Sequence, residues 1–511
     1  MRQRPGTSDR TAAAIHALPA LDTTPPTERN VTDLLLAHGW FLHDDPAEQR
    51  AMRPYPPLGL LYVAAHLRSV GVDVAVWDGT FHYRGEFVSA LLEQRPPVVG
   101  FYANMVTRKN ILRMAAVARR MGARTVVGGP DPANYVERYL DAGIDAVVIG
   151  EGELTLAEAL PRLLAAGPPG RVPDLHDVAG VAFRGADGNT FRTAPRAQIK
   201  DLDAMPGPAR DLIDLDAYLA CWKRHHGVSS VNLITARGCP FHCNWCSHAV
   251  YGHSHRRRSP THVADEVEEL LQRYRPDQLW FADDVFTIHK KWLQKFAAEL
   301  EGRGVRVPFE TITREDRLDD ETIDLLAKMG ARKIWVGAES GSQRILDAMQ
   351  RSTDASRVVD VVRKLRAAGI ETGMFLMLGY EGEDLSDLEA SIDMVARAAP
   401  DVFLTTVSYP IAGTPYAERV ADRTFTTRAW QDGSDRDLAI VGRHSPRWFD
   451  AANRWLVHEV AARRARQAGI RGVREAARLG WATSQAALGR AAMRWYEQER
   501  VVAPSESSAP A

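Results

Sequence analysis

Short apolar runs alternate with helical patterns along most of this 511-residue chain. In the first part the apolar runs fall at residues 31–37, 72–77, 98–103, 124–129 and 145–150. Stretches with apolar residues at helical spacing separate several of them. Continuous apolar runs of this length are typical of strands buried on both faces. The pattern therefore predicts a doubly wound, Rossmann-like α/β domain with a mostly parallel sheet over residues 31–155.

The same alternation resumes at residue 231 and repeats about six times. The predicted strands lie at residues 231–236, 278–282, 307–313, 333–338, 371–378 and 402–408. Repeated strand–helix units with buried strands form a parallel barrel or part of one. We therefore expect a partial (β/α)6 barrel of the TIM type over residues 231–420, with its working face at the carboxyl ends of the strands.

The remaining segments have other compositions. Residues 1–30 and 501–511 are predicted to be disordered tails, and residues 156–230 a linker rich in glycine, proline and charge. Residues 421–500 are predicted to form a small helical domain with many arginines. A solvated charged face is expected for its helices, and a basic amphipathic helix that lies on a membrane is the alternative. Trp481 and Trp495 are expected in its core.

Composition excludes several classes of protein. The net charge of -1 gives no indication of a nucleic-acid partner. No apolar run approaches the roughly 18–20 residues that span a bilayer, and residues 1–30 lack the apolar core of a secretion signal. We therefore expect a cytoplasmic protein with unpaired thiols.

Three of the four cysteines lie together, at Cys239, Cys243 and Cys246. The loop follows a predicted strand, so it belongs at the carboxyl-end rim, where α/β proteins place their sites. Cysteine thiolates hold iron–sulfur clusters, commonly four of them, so three would leave one iron open for chemistry. A zinc site completed by a histidine, at position 242, 248 or 253, is the alternative. Cys221 is expected to be a packing residue.

The stretch T-A-R-G-C-P-F-H-C-N-W-C-S, with Trp245 before its last cysteine, closely resembles the signature of the radical S-adenosylmethionine (SAM) enzymes. The resemblance implies that Cys239, Cys243 and Cys246 hold a catalytic [4Fe–4S] cluster. It also implies that SAM chelates the fourth iron and is cleaved to a 5′-deoxyadenosyl radical.

Further segments at predicted strand ends resemble the SAM pocket of that family. They are F-A-D-D-V-F-T, G-A-E-S-G-S and the turn M-L-G-Y-E-G-E. The resemblance implies SAM-binding roles, alongside Trp245, for Asp283, Arg314, Glu339 and Ser340. The neighbouring Asp284 and Asp316 are expected to be structural.

The first domain resembles the cobalamin-binding half of the cobalamin-dependent radical SAM enzymes. The resemblance lies in P-P-L-G-L-L-Y-V-A-A-H-L-R, V-V-G-G-P-D-P and D-A-V-V-I-G-E-G-E-L-T. It implies that Gly128, Gly129, Gly150 and Glu151 contact cobalamin. The cobalt-ligating D-x-H-x-x-G motif is missing, and the near match at His176 has the wrong spacing. Radical SAM relatives generally lack that histidine too. A degenerate sheet kept as scaffold is the alternative.

The resemblance implies methylation of an unactivated carbon, or of phosphorus, through methylcobalamin. The substrate would be a small biosynthetic intermediate, and an electron donor such as flavodoxin or ferredoxin would serve the cluster. Cyclisation or oxidation without methyl transfer, as in the anaerobic magnesium-protoporphyrin monomethyl ester cyclase, is the first alternative. A zinc-binding regulatory or interaction protein is the alternative from another class.

Overall fold

A computed structural model describes residues 32–470 and 472–503. Its first domain is built on seven strands: β1 Leu34–His38, β2 Val74–Asp78, β3 Val98–Tyr102, β4 Arg124–Gly128, β5 Ala146–Val148, β6 Val181–Arg184 and β7 Thr190–Arg192. They form one sheet in the order β2-β1-β3-β4-β5-β6-β7. The first five strands run parallel, and β6 and β7 are antiparallel.

The sheet has a hydrophobic core on each face. Leu35, Val99 and Val127 pack into one core, and their neighbours Leu34 and Val98 pack into the other. Successive side chains of a strand point to opposite faces, so continuous apolar runs are what such a sheet needs. The covering helices are α1 Pro46–Ala51, α2 Leu58–Ser69, α3 Glu86–Gln94, α4 Arg108–Arg120, α5 Pro130–Asn134, α6 Val136–Asp141 and α7 Gly152–Ala165. The predicted doubly wound sheet is confirmed.

The sheet extends further along the chain than residue 155, the boundary predicted for the domain. Position 155 lies inside α7, and the hairpin of β6 and β7 continues the same sheet within the predicted linker. The linker also contains α8 Leu215–His226. Cys221 of α8 is buried in the fold, as expected of a packing residue.

The second domain carries a six-stranded parallel sheet in the order β15-β14-β13-β12-β11-β8. Its strands are β8 Ser230–Leu233, β11 Gln278–Phe281, β12 Phe309–Thr313, β13 Ala331–Glu339, β14 Glu371–Leu378 and β15 Val402–Val407. Its helices are α9 Pro260–Arg273, α10 Lys290–Gly302, α11 Asp320–Met329, α12 Gln343–Ala348, α13 Ala355–Ala367 and α14 Leu385–Ala398. The strands β8 and β15 are the two edges, so the barrel is partial, as predicted. The first predicted strand is split, because β9 Ala236–Arg237 leaves the sheet and pairs antiparallel with β10 Arg256–Arg257.

The last part of the chain contains α15 Pro415–Arg419, β16 Thr424–Thr426, β17 Leu438–Ile440, α16 Pro446–Ala468 and α17 Val473–Trp495. Trp448, Trp455 and Met493 pack against the outside of β14 and α14. The prediction for Trp481 and Trp495 is wrong, since their side chains are 64% and 82% exposed. Both lie on the face of α17 turned away from α16.

The predicted tail at residues 1–30 lies outside the described residues, as does most of the one at residues 501–511. In the described part of the chain, no helix combines the length and the apolar character needed to cross a membrane.

Candidate functional site

The cysteine loop leaves the carboxyl end of β8, as the sequence predicts, and is closed at its base by the β9–β10 pair. Gly238 begins the loop with a φ of 82°. A Cβ at this position would collide with the backbone of Ser254, so only glycine fits. Asn244 anchors the middle of the loop, because its side-chain amide donates to Ala348 O at 2.8 Å and accepts from the Tyr380 hydroxyl at 2.6 Å.

All three thiols of the loop line one cavity of about 500 Å³ at the barrel mouth, which we call the cysteine cavity. Trp245, Arg314 and Glu339 line it as well, together with Arg351, Phe375 and Thr405. Burial raises the pKa of Cys239, and burial with the Asp284 carboxylate raises that of Cys246 to about 12. Thiols held around a space, rather than meeting at a point, fit a multi-iron cluster, whose ligands are thiolates.

The zinc alternative requires side chains that meet at a single ion. Across the described ranges, no three His, Cys, Asp or Glu side chains converge closely enough to hold one metal ion. The rings of the histidines proposed to complete such a site pack against one another instead. The His253 ring lies 4.2 Å from that of His242 and 4.1 Å from that of His248, between ring centroids.

Two buried guanidinium groups face the second cysteine. Arg314 and Arg351 place nitrogens 3.9 Å and 4.0 Å from the Cys243 sulfur. Arg314 also pairs with Asp316 at 2.9 Å, which fits the structural role expected of that aspartate. Positive charge favours a thiolate over a thiol. Arg351 was not predicted from the sequence, because it follows a helix end and belongs to no recognised motif.

Glu339 ends β13 at the wall of the cysteine cavity. Its φ of 59° places a residue with a Cβ in the left-handed region, which costs of order 1–3 kcal/mol. Within the described chain, its carboxylate has no hydrogen-bond donor, and burial raises its pKa against the opposing effect of Arg351. A strained backbone that holds an acceptor toward a cavity is a feature of binding sites.

Two other predicted SAM contacts do not reach the cysteine cavity. Asp283 is 2% exposed and accepts from the backbone N–H of Thr235 at 2.6 Å and from Arg257 at 3.0 Å. Ser340 is fully buried in the turn after β13, where its hydroxyl lies 3.4 Å from that of Ser391. Asp283 therefore positions the start of the cysteine loop, and Ser340 shapes a turn. The prediction that they contact SAM is not supported by their positions.

A second cavity of about 400 Å³ lies beyond the carboxyl ends of the first sheet, and we call it the Rossmann cavity. Gly128, Gly129, Gly150 and Glu151, for which cobalamin contacts are predicted, all line it, together with apolar residues such as Val126. At Gly129, with a φ of 114°, a Cβ would collide with the carbonyl oxygen of Ala103. The cradle therefore depends on glycine, which lets a ligand approach the backbone closely. An apolar cleft at this edge of a doubly wound sheet fits a large, planar cofactor.

The His176 side chain does not line this cavity. Its ring packs edge-on against Phe183 and Phe191, with ring centroids 5.0 Å and 4.8 Å away. In the described chain, the only histidine that lines the Rossmann cavity is His248, which belongs to the cysteine loop. Among the described residues, the fold therefore brings no histidine from the first domain to this cavity.

A buried ionic network in the wall of the Rossmann cavity ties the first domain to the segments on either side of the cysteine loop. Arg237, just before the cysteine loop, binds Glu151 at 2.7 Å and Glu153 at 2.6 Å. Arg256 binds the other oxygen of Glu151 at 2.7 Å. The Glu151 carboxylate also accepts from Ile199 N at 2.9 Å. Glu151 thus lines its cavity with a carboxylate that is fully engaged by protein donors.

The two cavities share part of their lining. Ser247, His248 and Asp284 line both of them. Asp284 keeps exposed surface because it faces the open space, and its pKa is raised by burial of its carboxyl group and by Asp283. This corrects the expectation that Asp284 is purely structural. The sequence does not reveal the shared wall, since it arises from two domains.

Two family models match the chain. The radical SAM superfamily matches residues 233–395, and the B12 binding domain matches residues 51–160. The first match contains the cysteine loop, and the second contains the three glycines of the Rossmann cavity.

Several curated proteins are similar over most of the chain. An uncharacterized methyltransferase from Pyrococcus horikoshii is 27% identical over 400 residues, which cover 76% of this chain and 84% of the relative. The cytidylyl-2-hydroxyethylphosphonate methyltransferase of Streptomyces wedmorensis is 27% identical over 473 residues, covering 80% and 86%. The anaerobic magnesium-protoporphyrin IX monomethyl ester cyclase of Rubrivivax gelatinosus is 28% identical over 361 residues, covering 68% and 63%.

Solved structures share the fold. TsrM from Kitasatospora setae, a radical SAM methyltransferase with cobalamin and a [4Fe-4S] cluster bound, aligns with a TM-score of 0.62 at 19% identity, covering 76% of this chain and 75% of that one. The cobalamin-dependent radical enzyme OxsB aligns with a TM-score of 0.69 at 16% identity, covering 90% and 72%. The likeness extends over both domains.

Proposed function

The chain belongs to the radical SAM enzymes that carry a B12-binding domain, and we propose that it methylates an unactivated carbon, or phosphorus, of a small molecule. A [4Fe–4S] cluster, SAM and cobalamin are its cofactors. When bound, the cluster and SAM supply a hydrogen-abstracting radical, and cobalamin supplies a transferable methyl group.

The observation that carries the proposal is the lining shared by the two cavities. A methyl group can reach a substrate radical only if the substrate contacts both cofactors. Ser247, His248 and Asp284 border both spaces, so a molecule held against them would meet both cavities. We assign Asp284 the task of holding a hydrogen-bond donor of the substrate, since its carboxylate faces the open space.

Residue roles follow from the geometry. Cys239, Cys243 and Cys246 would hold the cluster, with Arg314 and Arg351 offsetting the thiolate charge at Cys243. Glu339 would accept hydrogen bonds from the SAM amine or ribose, for which its strained backbone holds it in place. Trp245, which lines the same cavity, would cover one side of that site.

The names of the relatives support methyl transfer without excluding another outcome. Several are described as methyltransferases, while others are cyclases that act on magnesium-protoporphyrin IX monomethyl ester. The electron that starts SAM cleavage would come from a small redox protein such as flavodoxin or ferredoxin, and the substrate would be a biosynthetic intermediate.

The test is an isotope experiment with the full chain. The protein is reconstituted without oxygen with iron, sulfide and hydroxocobalamin, then reduced and supplied with SAM carrying a deuterated methyl group and a small-molecule extract. Methyl transfer predicts a product that carries the intact deuterated methyl group. It also predicts S-adenosylhomocysteine and 5′-deoxyadenosine in equal amounts, because one SAM donates the methyl group and another donates the radical.

Cyclisation predicts 5′-deoxyadenosine without S-adenosylhomocysteine and without label in any product. That result would overturn the methyl-transfer proposal while leaving the radical chemistry in place. Asp284→Asn tests the lining that the two cavities share. It should lower the yield of labelled product.

A further inference from the structure

The exposed face of α17 is an apolar stripe along a 23-residue helix. Val473, Trp481, Leu488 and Trp495 are 86%, 64%, 52% and 82% exposed. At 3.6 residues per turn these four side chains fall within about 80° of arc on one side of the helix. Single exposed apolar residues are ordinary, but four large ones on one side of a helix, two of them tryptophans, mark an interaction surface. We call this row the α17 stripe.

The stripe cannot turn inward, because the opposite face of α17 is fixed on α16. Ala482, Ala486 and Met493 are buried there. Gly489 lies so close to the neighbouring helix that a Cβ would meet Trp455 N at 2.7 Å. Arg454 of α16 also donates to the Gln485 side chain at 3.0 Å. The exposure of the stripe is therefore a property of the helix packing.

Arginines border the stripe on both sides. The helix carries Arg474, Arg478, Arg490 and Arg494 against a single acidic residue, Glu475. Arg474 and Arg478 fall on one flank of the stripe, and the other two fall on the opposite flank. Among the described residues, no carboxylate lies within 4.0 Å of the guanidinium groups of Arg474, Arg478 or Arg494, whereas Arg490 pairs with Glu389 at 3.0 Å.

The positive charge of α17 indicates which kind of partner covers the α17 stripe. A second copy packed on the stripe would bring a second set of the same arginines to this face of the helix. Like charges that face each other destabilise a helix pair. An anionic surface is complementary to the same arginines and removes this cost.

We propose that α17 docks this protein on an anionic lipid surface. The row of tryptophan, leucine and valine would enter the boundary between headgroups and acyl chains, with the helix axis parallel to the membrane. Tryptophan is favoured at that depth because its ring is apolar and its N–H remains near water. The flanking arginines would lie at the level of the phosphates, with their apolar stems along the stripe. Ile470, 58% exposed in the turn before α17, extends the apolar end.

The test measures binding of the reconstituted full chain to vesicles by flotation. The probes are vesicles of an equal mixture of phosphatidylglycerol and phosphatidylcholine, and vesicles of phosphatidylcholine alone. Binding is expected to the anionic vesicles and to fall as salt screens the arginines. The double variant Trp481→Ser/Trp495→Ser should bind at least about tenfold more weakly. Replacing Arg474, Arg478 and Arg494 by glutamine should weaken binding by about fivefold for each arginine removed.

Tyr83→Ser is the matched control, because Tyr83 is 63% exposed in the first domain. It should bind vesicles like the unmodified protein, and all variants should retain 5′-deoxyadenosine formation in solution. Failure to float with anionic vesicles, or undiminished binding by the tryptophan variant, would overturn the proposal. A dimer in light scattering that the tryptophan variant converts to a monomer would also overturn it, since the second copy would then occupy the stripe.

Discussion

The Rossmann cavity is lined by glycine backbone, apolar side chains and a few charged groups, whereas the cysteine cavity sets three thiols and the charged side chains of Arg314, Glu339 and Arg351 into an apolar lining. In the first, the charged groups engage one another, in the network of Arg237 with Glu151 and Glu153. In the second, Glu339 faces the space without a donor from the described chain. One cavity lets a ligand approach the backbone closely, and the other presents side-chain atoms that can bind specific polar groups. Substitutions in the two cavities should therefore affect different cofactors.

The largest expected effect is loss of a cluster ligand. Cys243→Ala should abolish 5′-deoxyadenosine formation, because two cysteines cannot hold a catalytic cluster. Hydroxocobalamin binding should persist, since Cys243 does not line the Rossmann cavity. The measurements are product chromatography and visible absorbance. Cys221→Ala is the control and should cleave SAM normally. SAM cleavage by the Cys243 variant would contradict the assignment of the ligands.

The next largest effect is expected in the ionic network around Arg237. Arg237→Met removes the arginine that pairs with two buried carboxylates, which should lower the free energy of unfolding by about 3–5 kcal/mol. It should also weaken hydroxocobalamin binding, because Glu151 and Glu153 belong to the loop that lines the Rossmann cavity. Urea unfolding and absorbance titration measure the two effects.

Arg210→Met is the matched control for this network. Arg210 is 6% exposed and binds Glu266 at 2.7 Å, but it lines neither cavity. Arg210→Met should lower the free energy of unfolding by about as much as Arg237→Met does, and it should leave the affinity for hydroxocobalamin unchanged. Equal loss of affinity in both variants would mean that Arg237 acts only through global stability.

A smaller effect is expected at the glycine cradle. Gly129→Ala should weaken hydroxocobalamin binding about a hundredfold, because the added methyl group is strained at this φ and collides with Ala103. The cluster, followed by its absorbance and EPR signal, should be unaffected. Gly71→Ala is the control, because Gly71 has a φ of 88° with no atom within 4 Å of the added Cβ. Unchanged cobalamin affinity in the Gly129 variant would refute the cradle.

The smallest effect is expected at Glu339. Glu339→Gln keeps the shape of the side chain but removes the charge, and it should weaken SAM binding by about tenfold, the value of one charge-assisted hydrogen bond. Equilibrium titration of the reconstituted protein with SAM measures this change. Glu315→Gln, at a buried carboxylate that does not line the cysteine cavity, should leave SAM affinity unchanged. Equal affinities for both variants would make Glu339 a structural residue.

Local sequence patterns predicted the features that depend on local structure. The cysteine spacing placed three thiols on one loop, and the apolar runs located the buried strands to within a few residues. It was harder to predict which of two adjacent residues at a strand end faces a cavity. Asp283 and Asp284 follow the same strand, and successive side chains point in opposite directions. The structure turns Asp283 into the protein and Asp284 toward the cavities, and the sequence does not show which of the two neighbours faces the open space.

Features that depend on tertiary packing could not be predicted. Arg237 and Glu151 are 86 positions apart in the chain and meet only because the two domains pack together. Trp481 and Trp495 were expected in the core from their apolar character. Their orientation is set by which face of α17 presents small residues to α16, and the periodicity of the helix does not specify that choice.

The central claim is that one substrate site lies between cobalamin and the cluster. EPR spectroscopy of the anaerobic holoprotein, with paramagnetic cobalt and a reduced cluster, tests it directly. Cavities that share Ser247, His248 and Asp284 predict two spins close enough to interact, seen as splitting or broadened, faster-relaxing signals. Two independent signals, each identical to that of the protein loaded with one cofactor, would contradict the claim.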